Sequence, residues 1–250
     1  MEKVIGLRIL SFPELPSTNQ YLKEVSEKEK PQEGALVITL NQTQGRGFGQ
    51  NQWHSQANKN LTFSFILYPK HIKATDQMML NYFVSLAIVD FLDSLQIKAS
   101  IKWPNDIYVY DKKISGILIE NTIAGEFLHS SIIGIGLNIQ EQTFPESLPN
   151  PISVFDIKHK NFDLNYCLTQ LLENLNQRYF QTQFDKEKLK SSYTEKMYKI
   201  LVESEFIRED KTQFEGVILG VDADGKLIVR NKNQEIELFG FKEIEYLIHP

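Results

Sequence analysis

Three short segments of this 250-residue chain carry residue types able to do chemistry together. The first is Gly45-Arg46-Gly47-Phe48-Gly49, followed by Trp53. Glycines at alternate positions let a backbone bend closely around a ligand and offer N–H groups to an anion. Arg46 adds a planar cationic fork suited to phosphate or carboxylate. The spacing is neither a dinucleotide fingerprint nor a P-loop, since the third Gly is misplaced and no Gly-Lys-Ser/Thr occurs. On the glycines alone, a flexible surface loop is as good a reading as an anion cradle. The second segment is Lys102-Trp103-Pro104-Asn105-Asp106, with Lys113 seven residues on. A strand, a proline corner and a second strand would hold Lys102 near Asp106, and a turn at 111–113 would bring the chain back. Two lysines, a carboxylate and Asn105 suit a magnesium-bound triphosphate. A solvated hairpin with charged turns is the plain alternative. The third segment, Gly134-Ile135-Gly136-Leu137-Asn138, ends a buried strand. Glycines there permit close backbone approach, and Asn138 can hydrogen-bond a ligand.

These segments need elements to hold them. The pattern predicts a strand, a turn and then a helix running to Lys28, with Ser17 at N-cap, Gln20 at N3 in capping-box form, and Leu22 and Val25 facing inward. Residues 35–40 and 61–68 read as strands. Between them, 41–60 is polar and rich in Gly, Gln and Asn, longer than most connections, which marks a binding loop. Apolar residues at i, i+3 and i+4 from Met79 to Leu95 predict a helix over 76–95, capped by Asp76. Strands are predicted at 97–103, 106–110, 114–121 and 127–139, with turns at Asp111-Lys112-Lys113 and Ala124-Gly125. Helices follow at about 163–180 and 185–197. Past Leu201 only short strands remain, at 215–221, 226–230 and 235–239, with turns at Asp224-Gly225 and 231–233. That tail reads as a small β-barrel appended to an α+β domain.

Hydrophobic residues make up 42% and charged residues 24%, an ordinary globular balance with enough chain for one core and a small second domain. The net charge of −5 disfavours nucleic acid and anionic membrane as partners. The single cysteine, Cys167, forms no internal disulfide, and residues 1–10 lack a signal-peptide pattern. No apolar run reaches the roughly 20 residues that span a bilayer. The expectation is a cytoplasmic protein.

Taken in order, Ser17-Thr18-Asn19, Gln42-Thr43-Gln44-Gly45-Arg46-Gly47 with Trp53 and Ser55, the 102–106 segment, Lys113-Ile114-x-Gly116-Ile117-Leu118-x-Glu120 and the 134–138 segment resemble the ordered signature of biotin protein ligases. The stretch Gly216-x-x-x-Gly220-Val221-Asp222-x-Asp224-Gly225-x-Leu227 is similar to that family's small terminal barrel. The resemblance spans nearly the whole chain. It implies an α+β fold: a catalytic domain of mixed sheet and helices over 1–200, like that of biotin ligases and class II aminoacyl-tRNA synthetases, and an SH3-like β-barrel over 201–250. It also implies ATP and Mg²⁺, biotin as substrate, and a biotin carboxyl carrier protein of a biotin-dependent carboxylase as partner. Ser17, Thr18, Asn19 and Gln42 would surround the ureido ring, with Gly45, Gly47 and Gly116 close to biotin. Arg46 and Lys113 would be the catalytic cations at the carboxylate and α-phosphate. Phe48, Trp53, Lys102, Asn105, Asp106 and Asn138 would face ATP or the adenylate, with Asp106 toward Mg²⁺.

Two departures stand out. Phe48, Gly49 and Gln50 stand where the family often continues with further Arg and Gly; Phe48 replaces a usual basic or polar residue, implying weaker electrostatic retention of the adenylate. Asn58 stands where Gly is common, a mild change because Asn tolerates left-handed backbone. Ser17 comes after only 16 residues, which leaves no room for a DNA-binding module. Dimerisation through a sheet edge is compatible with the pattern. The competing readings are a lipoate or octanoyl ligase, which the Trp53 loop and the 102–106 strand disfavour, and a non-catalytic biotin sensor, which would not need Arg46, Lys102, Asp106 and Lys113.

Overall fold

In a computed structural model, residues 3–49 and 51–248 are described; Gln50 lies outside them. The main sheet has seven strands in the order β1-β2-β3-β7-β6-β5-β4. They are β1 (Ile9–Leu15), β2 (Leu36–Gln42), β3 (Leu61–Leu67), β4 (Ser100–Lys102), β5 (Asp106–Val109), β6 (Lys112–Ala124) and β7 (Phe127–Leu137). Only β1 and β2 run parallel, joined by the helical crossover α1 (Thr18–Lys28). The other neighbours are antiparallel.

Strand alternation divides the sheet into two faces. Odd positions of β3 and β7, among them Phe63, Phe65, Ile133, Ile135 and Leu137, enter the main core. That core lies under α2 (Met78–Ser94), α4 (Leu164–Phe184) and α5 (Lys186–Glu195). Even positions face α1, where Leu22, Val37, Ile66 and Ile132 form a smaller cluster. Val25 of α1 is half-buried. Ser17 accepts the Gln20 N–H as expected, but the Gln20 amide donates to Glu24 at 2.9 Å, so the reciprocal half of the box is absent.

The predicted stripe of α2 is buried, and so are Tyr82, Leu86 and Val89 outside it, because α5 covers a second side. Tyr82 packs against Tyr193 of α5 with the ring centroids 4.6 Å apart and the planes tilted by 48°. Asp76 does not cap this helix. It ends a 3₁₀ turn, Ala74–Asp76, and pairs with Lys186 at 3.2 Å. The starting cap is Gln77, whose side chain makes no capping bond and instead accepts from Asn121 at 3.1 Å. A further short helix, α3 (Val154–Lys158), closed by a Ser153–Asp156 capping box, was not predicted.

The C-terminal segment forms a second antiparallel sheet in the order β11-β10-β9-β8-β12, consistent with an SH3-like domain. Its strands are β8 (Glu203–Arg208), β9 (Gln213–Val221), β10 (Leu227–Asn231), β11 (Ile236–Phe239) and β12 (Ile244–Tyr246). β8 and β12 add to the three strands predicted. Trp103 Nε1 donates to Gly225 O at 3.0 Å and Lys190 of α5 to Asp222 O at 3.0 Å, which ties this sheet to the first 200 residues.

Cys167 is fully buried in α4, and burial, with Asp163 nearby, pushes its thiol up to about 11. At pH 8 about one molecule in a thousand would carry the reactive thiolate. Native protein should therefore resist a chromogenic disulfide reagent over times that label the guanidinium-denatured chain fully; stoichiometric labelling of native protein would contradict the burial.

Candidate functional site

A cavity of about 1130 Å³ opens on the even face of the main sheet, and every candidate residue except Gly45 lines it. Its floor is bare backbone. Gly116 of β6 lies opposite Gly136 of β7, and Gly134 opposite Leu118. Side chains from elsewhere fill the space. A Cβ on Gly136 would lie 2.2 Å from the Trp53 ring, and one on Gly134 would lie 2.2 Å from Asn19 Oδ1. Gly45 stands behind the wall, where a Cβ would meet the Trp53 carbonyl at 2.2 Å.

Lys113 reaches this floor through an irregularity. From Gly116 to Leu118 the cavity-facing residues of β6 are even, so an unbroken strand would send Lys113 to the opposite face. A register shift against β5 falls between Ile107 and Tyr108, so that Asp106 faces Gly116 but Tyr108 faces Lys113. A bulge of this kind re-aims a side chain. Lys113 thus pairs with Asp106 at 2.7 Å, and its Nζ lies 3.3 Å from where a Gly116 Cβ would stand and 5.8 Å from the Trp53 ring centroid. The residues 150–152 clamp its backbone: Lys113 N donates to Asn150 O at 2.7 Å, and Ile152 N to Lys113 O at 3.0 Å.

Lys102 and Asp106 are direct register partners on β4 and β5, as the corner suggests, yet their side chains part. Lys102 donates to Tyr108 Oη at 3.1 Å and sits over the rings of Tyr108 and Tyr246 at 4.9 and 5.3 Å. Asn105 donates to Ile117 O at 2.6 Å and acts as a brace between β5 and β6. Asn138 donates to Ile152 O at 3.1 Å, while its buried Oδ1 has no partner.

At the α1 end, Thr18 N and Oγ1 donate to Gln42 Oε1 at 2.9 and 3.3 Å. Thr18 Oγ1 also lies 2.6 Å from Ser64 Oγ, which donates to Asn19 Oδ1 at 2.6 Å. Asn19 Nδ2 donates to Glu120 at 2.9 Å, so both ends of the Asn19 amide are used inside the wall. Arg46, half-exposed, lies 3.6 Å from Glu120 and 3.4 Å from Gln20.

Residues the sequence did not single out hold the Trp53 loop. Glu141 is fully buried, accepts from Gln56 N at 3.2 Å and from Asn60 Nδ2, and lies 3.0 Å from His54 Nε2. Asn58 adopts φ 61°, the left-handed conformation allowed for it. Phe48 packs edge-on against Phe241 of the small sheet at 4.1 Å, so it meets protein on one side instead of facing only a ligand. Lys242 sits over the Phe48 ring at 5.2 Å.

A model of the biotin/lipoate A/B protein ligase family matches residues 11–138, just over half of the chain. The chain belongs to that family. Among relatives, it is 36% identical over 150 residues to the bifunctional ligase/repressor BirA of Bacillus subtilis, covering 58% of this chain and 45% of that one. It is 30% identical over 160 residues to the human biotin–protein ligase, covering 61% of this chain and 22% of that one. The chain thus spans less than half the length of these relatives. A solved biotin protein ligase from Aquifex aeolicus, in complex with biotin and ATP, superposes with a TM-score of 0.81 at 24% identity, covering 96% of this chain and 99% of that one. The biotin ligase fold expected from the motifs is the fold observed. Among the described residues no helix is long and apolar enough to cross a membrane. The family match ends at Asn138, before Glu141 and Lys242, and a lone buried Glu or exposed Lys gives no spacing signal by which to find it.

Proposed function

We propose that the chain is an ATP-dependent biotin protein ligase. It joins the biotin carboxylate to the α-phosphate of ATP, releasing pyrophosphate, then passes biotin from the adenylate to a lysine of a biotin carboxyl carrier protein, releasing AMP. The observation that carries this reading is the polarity of the cavity. Neutral hydrogen-bonding groups, Ser17, Thr18 and Gln42, lie on the β2–β3–β7 side, and Lys113, Asp106 and Lys102 lie on the β6–β5–β4 side. A ureido ring has donors and an acceptor to match the hydrogen-bonding capacity these groups keep beyond their bonds within the protein; a dithiolane ring offers that capacity no partner.

Within that reading, Ser17, Thr18 and Gln42 bind the ureido end and Asn19 buttresses them. Gly116, Gly134 and Gly136 let Trp53 and Asn19 pack directly on the sheet, where they wall the space the ligand would take. Lys113 bridges the reacting carboxylate and α-phosphate, with Arg46 and the Gly47 backbone beside it. Lys102 and the orphan Oδ1 of Asn138 serve the nucleotide, and Asn105 holds the strand ends in place. Each substrate brings its own nucleophile, so the protein supplies positioning and charge. A Mg²⁺ carried on the triphosphate needs only one or two protein carboxylates. Asp106, which lines the cavity beside Lys113, is the carboxylate placed for that need. Residues 1–200 then make the catalytic domain and 201–250 an SH3-like domain that borders its cavity.

Mass spectrometry after mixing the chain with Mg-ATP and biotin, with lipoate in parallel, tests this. Biotinyl-AMP from biotin and nothing from lipoate is expected. A lipoyl adenylate would assign the lipoate branch, and no adenylate from either would remove the enzymatic reading.

A further inference from the structure

The cavity holds four lysine or arginine side chains. Arg46 and Lys113 face Glu120 and Asp106. For the other two, Lys102 and Lys242, no carboxylate oxygen among the described residues lies within 4.0 Å of the ammonium. They belong to different sheets that meet at the cavity: Lys102 lies under Tyr246 of β12, and Lys242 lies in the turn before β12. Glu209 and Glu245 border the same space without pairing to either.

Lys242 also has an unusual backbone. Glu243 N donates to Gly240 O at 3.2 Å, closing a four-residue turn with Lys242 at its third position and φ 73°. Glycine is the residue that adopts this conformation without strain. The Glu243 carboxylate is bonded to Gly240 N at 2.5 Å, which leaves the ammonium free of it. The Lys242 side chain runs back to the glycine loop of the main domain: its Nζ lies 2.7 Å from where a Gly49 Cβ would stand and 5.2 Å from the Phe48 ring. Any side chain at position 49 would displace it. Eight other described non-glycine residues share a positive φ; Lys242 is the one of the nine that lines the cavity, with its charge reaching the glycine loop.

We infer that Lys242 is an ATP-phosphate-binding residue, supplied from the small sheet, which brings to the 45–49 loop the cation that Phe48 does not. The inference rests on the proposed ATP-dependent function and names a residue of its nucleotide side. Phe48 is then no loss of charge: its ring packs on Phe241 and seats the neighbouring ammonium. The small sheet completes the nucleotide end of the cavity.

Three variants of the whole chain test this: Lys242→Gly, Lys242→Ala and Lys242→Arg. Glycine removes the cation while relieving the turn, so its melting temperature should equal or exceed that of the unaltered chain. Calorimetric binding of Mg-ATP without biotin should weaken about five- to tenfold in the Gly and Ala variants and be restored to within about threefold by Arg. Biotin affinity should stay within twofold, and the salt dependence of ATP binding should lessen in the Gly variant. Unchanged ATP affinity in Lys242→Gly, or equal losses for ATP and biotin, would overturn the inference. An unaltered chain that binds Mg-ATP but forms no adenylate would sink the ligase reading and leave this binding test standing. One that binds no Mg-ATP would sink both.

Discussion

Replacing Lys113 with alanine should lower adenylate formation about 10²- to 10³-fold while biotin affinity changes by less than about tenfold. The expectation follows from the position of one charge. The ammonium is 2.7 Å from Asp106, beside the bare backbone of Gly116 and under Trp53. In the proposed reaction a carboxylate and an α-phosphate, both anions, meet there, and a preorganised cation aimed at the reacting centre is typically worth that factor. The Asp106 pair holds the ammonium in place until substrate arrives. In the proposed reaction, transfer of the ammonium to the phosphate would release an Asp106 oxygen on the nucleotide side. Because both partners are partly exposed, losing the pair should cost the fold no more than about 1 kcal/mol. A loss of turnover would therefore not be a loss of folding. Single-turnover measurement of biotinyl-AMP, alongside biotin titration and a melting curve, separates these effects. Turnover within tenfold of the unaltered chain would remove Lys113 from the reacting centre. A joint collapse of binding and turnover would make it an affinity residue.

The position of Lys113 also shows what a sequence can and cannot convey. The residue types and their order pointed to the cluster, and the seven-strand framework was legible because alternation and glycine turns are local signals. Strict alternation along β6, however, puts Lys113 and Gly116 on opposite faces. The bulge that unites them has no signature in the side chains around it. The same limit hid Glu141, whose partners His54, Gln56 and Asn60 lie over 80 residues away. Asp76 looked like a cap because it precedes the apolar repeat, but a 3₁₀ turn intervenes and the aspartate meets Lys186 of α5 instead. α3 was missed since five residues give no period to read. Phe48 was read against a family pattern as a missing charge, and only tertiary contact reveals Phe241 and Lys242 beside it.

Gly136→Ala should speed escape or hydrolysis of the adenylate about ten- to a hundredfold without destabilising the protein. A methyl at this position would stand 2.2, 2.5 and 2.6 Å from three atoms of the Trp53 indole, well inside contact distance. One of the two must move. β7 is paired along both edges, to β3 and to β6, so its backbone is the less free. Trp53 belongs to a loop held by a backbone bond to Gly45 O at 3.0 Å and by the Glu141 cluster further along, and its buried Nε1 has no partner to lose. The ring is the part that leaves. Alanine within a strand otherwise gains about 0.5–1 kcal/mol over glycine by restricting the unfolded chain, so the melting temperature should hold or rise as function falls. A red-shifted tryptophan emission should accompany the change, because Trp103, the other tryptophan, keeps its bond to Gly225. In the proposed reaction, water would then reach the mixed anhydride that the closed loop would otherwise shield. If the effect passes through the ring alone, Trp53→Ala should cause a loss of the same size, and the double variant should be no worse than either single one, since the two changes remove one interaction. Additive losses would show instead that the methyl obstructs the ligand directly and that Gly136 is needed for its own close approach to biotin.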